Sequence, residues 1–149
     1  IRRYPDLQIH RIIKENLRGK MTEAKIRHYE DILDQVALQS STMERRAQEA
    51  ERETVKMKKA EYMESHIGEV FEGVISGVTD WGFYVELPNT VEGLVHVNSL
   101  TDDYYIYDPS RYTLTGEKKK RSFSMGQKVT VRVSEADPTE RSVDFVLAE

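Results

Sequence analysis

The 149 residues contain no cysteine. That excludes a disulfide framework and any thiolate metal site, and it points to a reducing compartment, with the cytoplasm as the expected location. No apolar run approaches the roughly 20 residues that cross a bilayer, and the opening Ile1-Arg-Arg-Tyr-Pro-Asp6 does not resemble a signal peptide. Positive charge is not in excess either: the formal net charge is -4, which argues against a generic nucleic-acid-binding tail. What remains is a chain with 38% hydrophobic residues, enough for one ordinary domain or a small domain with a substantial appendage.

The distribution of charge says more than its sum. Residues 1–42 carry 8 Lys/Arg against 6 Asp/Glu, residues 43–65 carry 6 against 6, and residues 66–149 carry 8 against 14. The last segment is therefore acidic, and any nucleic acid it binds must meet a localised face, because a uniformly acidic surface repels phosphate.

The first half reads as helix. Leu7, Ile9, Ile12, Ile13 and Leu17 follow Pro5-Asp6 and precede Gly19, the expected order of first-turn proline, apolar face and terminal glycine. Ile26, Tyr29, Ile32, Leu33, Val36 and Ala37 predict a second helix over about 23–39. Ser41-Thr-Met-Glu44 has the spacing of a capping box and predicts a third helix from there to about residue 65, with a thin apolar face and a solvated charge run. Three helices with such narrow apolar faces make a poor independent core, so this segment is expected to pack on something larger.

After His66 the period changes to two, punctuated by Gly68, Gly73, Gly77, Gly82 and Gly93. Strands are predicted at about 68–78, 82–87, 91–96, 127–135 and 142–148. Val129, Val131 and Val133 alternate with Lys128, Thr130, Arg132 and Ser134, giving one apolar and one polar face. The expected fold class is α+β: an N-terminal helical segment followed by a five-stranded antiparallel β-barrel with an inserted hairpin. The insertion spans 101–125, with its two strands around Gly116-Glu117, flanked by Tyr112, Leu114 and Arg121, Phe123.

Gly68-Glu-Val-Phe-Glu-Gly-Val-Ile75, Asp80-Trp-Gly-Phe-Tyr-Val85 and Glu92-Gly-Leu-Val-His-Val97 together resemble the S1 domain family, OB-fold barrels that bind single-stranded RNA. That resemblance implies RNA contacts at Trp81, Tyr84, His96 and Arg141, with Asp137 beside the last turn. The residues themselves are compatible. Trp81 and Tyr84 are three apart and would face opposite sides of a regular strand. A bulge at Gly82 would let both rings share one surface while Phe83 and Val85 point inward. Exposed rings form a stacking platform worth roughly 1 to 3 kcal/mol per base. Lys118, Lys119, Lys120 and Arg121 supply half of the positive charge of residues 66–149 and are the best phosphate contacts there; Arg132 is a further candidate. Plainer readings stand beside these: strand aromatics, a backbone-bonded histidine, a solvated basic turn, and arginines balancing Asp137 and Glu140. Asp102-Asp103, without further ligands, reads as a loop carboxylate pair and not as a metal site.

Ile1-Arg-Arg-Tyr-Pro-Asp-Leu-Gln-Ile-His-Arg11, Glu44-Arg-Arg-Ala-Gln-Glu-Ala-Glu-Arg52 and the tyrosine-rich Asp102 to Tyr112 with Thr113-Leu-Thr-Gly116 resemble the ribonuclease R branch of the ribonuclease II family. This implies that residues 1–65 are the helical C-terminal end of a ribonuclease catalytic domain and 66–149 an S1 RNA-binding domain. The implied parent is a processive hydrolase that degrades single-stranded RNA from its 3′ end to nucleoside monophosphates, using Mg2+ held by an Asp cluster. No such cluster occurs in these residues, so the chain alone is expected to be inactive and to bind no metal. The same resemblance places Arg2 at the scissile phosphate, with Arg3 on a neighbouring one, where a guanidinium can brace phosphate oxygens. The implied partners are single-stranded RNA, ribosome-associated RNA and the remainder of the catalytic domain. The alternative is a non-catalytic S1-type adaptor that tethers RNA or the ribosome.

Overall fold

The structure, a computed structural model, describes residues 3–148. By internal contacts the chain divides into two compact units, Ile1–Arg52 and Glu53–Glu149.

In the first unit, helix α1 (Tyr4–Leu17) starts with Pro5 in its first turn and Asp6 near its positive end, and Gly19 follows it at φ 65°. Helix α2 (Glu23–Glu64) then runs for 42 residues, and the unit boundary falls within it. The separate third helix expected from Ser41 does not exist. The capping box is overridden because neither Gly nor Pro occurs between Glu23 and Glu64. Thr42 spends its hydroxyl on the Leu38 carbonyl one turn back, at 2.9 Å, instead of capping a new start. The helical unit leaves Ile9, Ile13, Leu17, Ile26, Leu38 and Met43 exposed. Such scattered apolar stripes bury little, as their narrowness in sequence predicted.

The second unit contains the barrel. Strands β1 (Val70–Val78), β2 (Gly82–Glu86), β3 (Glu92–His96), β7 (Lys128–Asp137) and β8 (Ser142–Leu147) close in the order β1-β2-β3-β8-β7. A 3-10 turn, Val97–Ser99, follows β3. Four of the five pairings are antiparallel, but β3 and β8 pair parallel, which corrects the all-antiparallel expectation. The reason is parity: strand direction cannot alternate around a closed ring of five, so at least one pair must run parallel.

The insertion is larger than a hairpin. Strands β4 (Tyr105–Asp108), β5 (Thr113–Gly116) and β6 (Ser122–Ser124) form a three-stranded sheet, with Leu114 opposite Phe123 as the expected hairpin requires. The added strand β4 pairs Tyr105 with Gly116 and Tyr107 with Leu114. Its Ile106 and Asp108 lie between residues of mixed burial, and the segment lacks the clean alternation that marks a strand in sequence.

One apolar cluster joins these parts. Phe83, Val85, Val95, Val131 and Phe145 fill the barrel, and Leu114, Phe123 and Tyr105 enter the same cluster from the inserted sheet. Phe123 stacks on Phe83 with ring centroids 4.6 Å apart. Burying such a ring contributes roughly 1.5 to 3 kcal/mol. Ala60 and Met63, in the last turns of α2, are fully buried in that cluster. The barrel's compact unit therefore starts at Glu53, upstream of the strand pattern that begins after His66.

Candidate nucleic-acid interface

Strand β2 shows the expected alternation. Phe83 and Val85 are fully buried, which turns Tyr84 between them to the outer wall. Tyr84 is opposite Leu94 on β3 and Gly77 on β1, and its ring covers the glycine: a Cβ at Gly77 would lie 3.8 Å from Tyr84 Cδ2. Trp81, immediately before the strand, is about half exposed at 49%. Gly82 pairs with His96, and Val97 N–H donates to the Trp81 carbonyl at 2.8 Å. Trp81 and His96 are thus brought to one end of the β2–β3 ribbon, with Tyr84 at its middle.

Gly82 earns its place by close approach and not by a bulge. Its φ is 154°, and a Cβ there would fall 2.2 Å from the Val95 carbonyl oxygen. The bulge expected at Gly82 sits instead on β1. The β1–β2 register shifts between Ile75 and Gly77, leaving Ser76 as the extra residue, while β2 and β3 pair regularly through Gly82.

His96 is exposed, and its Nδ1 accepts the Asn98 N–H at 3.1 Å, capping the 3-10 turn. In a neutral ring this leaves Nε2 to carry the proton and to donate outward. The opposite end of the same ribbon is acidic: exposed Glu86 and Glu92 are cross-strand partners, and Glu92 also accepts the Ser76 hydroxyl at 2.5 Å. Phosphate is repelled from that end, so the ribbon has an aromatic end and an anionic one.

The remaining candidates do not converge on one spot. Arg132, exposed on β7, pairs with Val146, and the parallel β3–β8 register puts Val146 level with His96. Arg132 is therefore two strands from His96, roughly 10 Å around the wall. Arg141 lies at the other end. It precedes Ser142, which the same register puts level with Glu92, four residues and about 13 Å along the wall from His96. Its guanidinium is held by the Glu53 carboxylate of α2. Glu53 in turn is held below the usual carboxylate range, chiefly by Arg141 and then by Lys56. Asp137 turns its carboxylate onto the Thr139 and Glu140 N–H groups, at 2.7 and 3.1 Å, and so shapes the β7–β8 turn. Both residues are engaged in holding the fold.

The basic turn 118–121 joins β5 to β6. Phe123, two residues beyond Arg121, is the ring that stacks on Phe83, two residues beyond Trp81, so the insertion is tied to the aromatic end of β2. Lys118, Lys119, Lys120 and Arg121 are all exposed. The adjacent acids that looked like an idle loop pair are built into this turn. Asp103 accepts backbone N–H groups from it, and Asp102 lies within 4 Å of Lys119 Nζ and an Arg121 nitrogen. Sequence reasoning missed these roles, and it missed Glu53, because nothing local marks a partner 15 or 88 residues away.

In the first unit, Arg3 holds Asp6 through two bonds of 2.9 Å. The Asp6 hydrogen bond is the main cause that raises the Arg3 guanidinium pKa, and the same bond lowers the Asp6 carboxyl. Arg3 also lines a cleft of about 580 Å3 with Tyr4, Val36, Met43 and Ala47. Arg2, expected at the scissile phosphate, lies outside the described residues. Among the described residues no group of three or more His, Cys, Asp or Glu could hold a metal ion, and no helix is long and apolar enough to cross a membrane.

A five-stranded closed barrel with this order and an aromatic outer ribbon is an OB-fold barrel of the oligonucleotide-binding class. The S1 RNA binding domain profile matches residues 64–147, and the chain belongs to that family. Over its whole length the chain is similar to ribonuclease R. It is 46% identical over 145 residues to ribonuclease R 1 of Lactococcus lactis, covering 97% of this chain and 18% of that protein. It is 43% identical over 152 residues to ribonuclease R of Thermotoga maritima, covering 100% and 21%. The chain thus spans about a fifth of the length of the curated relatives it matches. Among solved structures, the apo form of Mycoplasma genitalium RNase R matches with a TM-score of 0.90 at 24% identity, covering 97% of this chain and 23% of that one. The same protein in complex with ribose methylated single-stranded RNA matches equally, and at this identity the likeness speaks for the fold alone.

Proposed function

We propose that this chain is the C-terminal portion of a processive 3′-to-5′ exoribonuclease of the ribonuclease R type, in which the barrel guides single-stranded RNA toward a catalytic site elsewhere in the protein. The observation that supports this most is the placement of Trp81 and His96 at one end of the β2–β3 ribbon of an S1 barrel, opposite the Glu86–Glu92 pair, with Tyr84 on the outer wall between the two ends. On this reading residues 1–65 are the helical end of the catalytic domain and 66–149 are the RNA-binding domain. Trp81 and Tyr84 stack bases without strong sequence preference. His96 donates through Nε2, and Lys118 to Arg121, with Arg132, meet phosphates. Arg3 binds phosphate only by exchanging Asp6 for it.

Magnesium in such an enzyme activates water for in-line attack. The donor set described for this chain does not fit that ion, so no step is routed through it. On this reading the chain binds RNA in the cytoplasm as part of a larger hydrolase, and the chemistry is done elsewhere in that protein. Fluorescence anisotropy with labelled single-stranded RNA tests the reading. Trp81→Ala and Tyr84→Ala are each expected to cost about 1 to 3 kcal/mol of binding while leaving the barrel folded. Unchanged affinity in both variants sinks the RNA face, and release of nucleoside monophosphates by the purified chain with magnesium sinks the division of labour.

A further inference from the structure

The turn between β5 and β6 is organised by two adjacent carboxylates that act on it differently. Asp103 reaches back along the inserted sheet and accepts the Lys118 N–H at 2.9 Å and the Lys119 N–H at 2.6 Å, and its other oxygen accepts the Tyr104 N–H at 2.8 Å. The Lys119 N–H is the main cause that holds this carboxyl below the usual range, so it stays ionised near neutrality. Gly116 makes room for it: a Cβ there would fall 2.6 Å from Asp103 Oδ2. The turn is closed by Gly116 N–H donating to the Arg121 carbonyl at 2.8 Å, and Lys120 takes φ 58°. With the Lys118 and Lys119 N–H groups given to Asp103, the exposed cationic side chains are what the turn chiefly offers a phosphate.

Asp102 touches those side chains. Its Oδ2 is 3.7 Å from Lys119 Nζ and 3.9 Å from Arg121 Nη1, and its carboxylate accepts the Tyr105 hydroxyl at 3.1 Å. The Tyr105 ring is buried in the apolar cluster, so Asp102 is anchored from below while it faces two of the four cations. Lys118 and Lys120 form no ion pair among the described residues.

We propose that Asp102 and Asp103 set the RNA affinity of the basic turn in opposite senses: Asp103 is a positioning residue that presents the cations, and Asp102 is a brake that competes with phosphate for Lys119 and Arg121. This rests on the reading that the turn meets RNA phosphates. A brake suits a guide in a processive path, because a strand that must advance cannot be held at full strength by each cation it passes. Counterion-linked binding makes the two roles separable, since each phosphate contact on a single strand contributes about 0.7 to the slope of log affinity against log salt.

The test uses the full 149-residue chain and a fluorescein-labelled oligouridylate of about 12 nucleotides, within the span of OB-fold sites. Anisotropy is titrated across roughly 50 to 300 mM KCl. Asp102→Asn is expected to tighten binding about two- to fivefold at low salt and to steepen the slope. Asp103→Ala is expected to weaken binding about three- to tenfold and to flatten the slope by up to about one contact's worth. A gain in affinity cannot come from misfolding, so Asp102→Asn stays informative even where Asp103→Ala loosens the sheet. Replacing all four cations, Lys118→Ala/Lys119→Ala/Lys120→Ala/Arg121→Ala, tests the underlying reading: if it leaves affinity and slope unchanged, the turn does not meet phosphate and the proposal falls with that reading. If it weakens binding while Asp102→Asn leaves affinity unchanged or lowers it, the turn reading stands and the proposed opposition is overturned.

Discussion

Replacing Gly82 with alanine tests whether the β2–β3 approach that carries Trp81 and His96 is as tight as it looks. An added Cβ would sit 2.2 Å from the Val95 carbonyl oxygen and 3.0 Å from the His96 Cα. A carbon–oxygen contact tolerates about 3.3 Å, so β3 would have to withdraw by roughly 1 Å. Both atoms are backbone and cannot rotate away. Overpacking of this kind costs about 1 to 3 kcal/mol, and the φ of 154° at Gly82 adds strain for a residue with a side chain. A total of about 2 to 4 kcal/mol lowers the unfolding midpoint of a domain this small by roughly 10 to 25 °C. Thermal unfolding followed by Trp81 fluorescence reads both the midpoint and the local environment, because the only tryptophan immediately precedes the substituted residue. Gly77→Ala is the internal control. Its nearest neighbour would be Tyr84 Cδ2 at 3.8 Å, an ordinary contact, so its cost should stay below about 1 kcal/mol. Equal midpoints for the two variants would refute the claim that close strand approach is what requires glycine at 82.

Phe123→Ala removes a fully buried ring that stacks on Phe83, and it should cost about 3 to 5 kcal/mol in denaturant unfolding; a loss near zero would mean that the inserted sheet is only appended to the barrel. Met63→Ala should cost about 2 to 5 kcal/mol in the same assay, since Met63 is fully buried in the barrel's cluster although it belongs to α2. Glu53→Gln addresses pH. Because the folded-state Glu53 carboxyl is lowered below its ordinary 4.5, its contribution to stability is complete above that value and is lost as pH falls through the folded-state pKa. Midpoints measured from neutral pH down to about pH 3 should therefore fall less steeply in the variant, and parallel curves would show that the Arg141 pairing does not couple to folding.

The strands were legible because their signal is local. Alternation along Val129, Val131 and Val133, and the placement of Phe83 and Val85, depend only on side chains pointing to opposite faces at successive residues. The observed β2, β3 and β8 begin and end within a residue of their expected bounds. Helix α1, with Pro5 at its start and Gly19 beyond its end, is local in the same way. The S1 motifs are also short runs, and they named Trp81, Tyr84 and His96 as candidates without any knowledge of packing.

What only the tertiary structure decided involves partners distant in sequence. The capping signal at Ser41 to Glu44 was real as a pattern, but no Gly or Pro interrupts Glu23 to Glu64, and α2 continued through it. The parallel β3–β8 seam follows from closing a ring of five strands, a property of the whole circuit and of no single strand. Arg141 meets Glu53 across 88 residues, and Asp103 meets the Lys118 and Lys119 amides across 15 and 16. The S1 resemblance and residue type named the candidate RNA contacts. Folding decided which of their charges are already paired, because an ion pair depends on distance in space and sequence separation does not encode it.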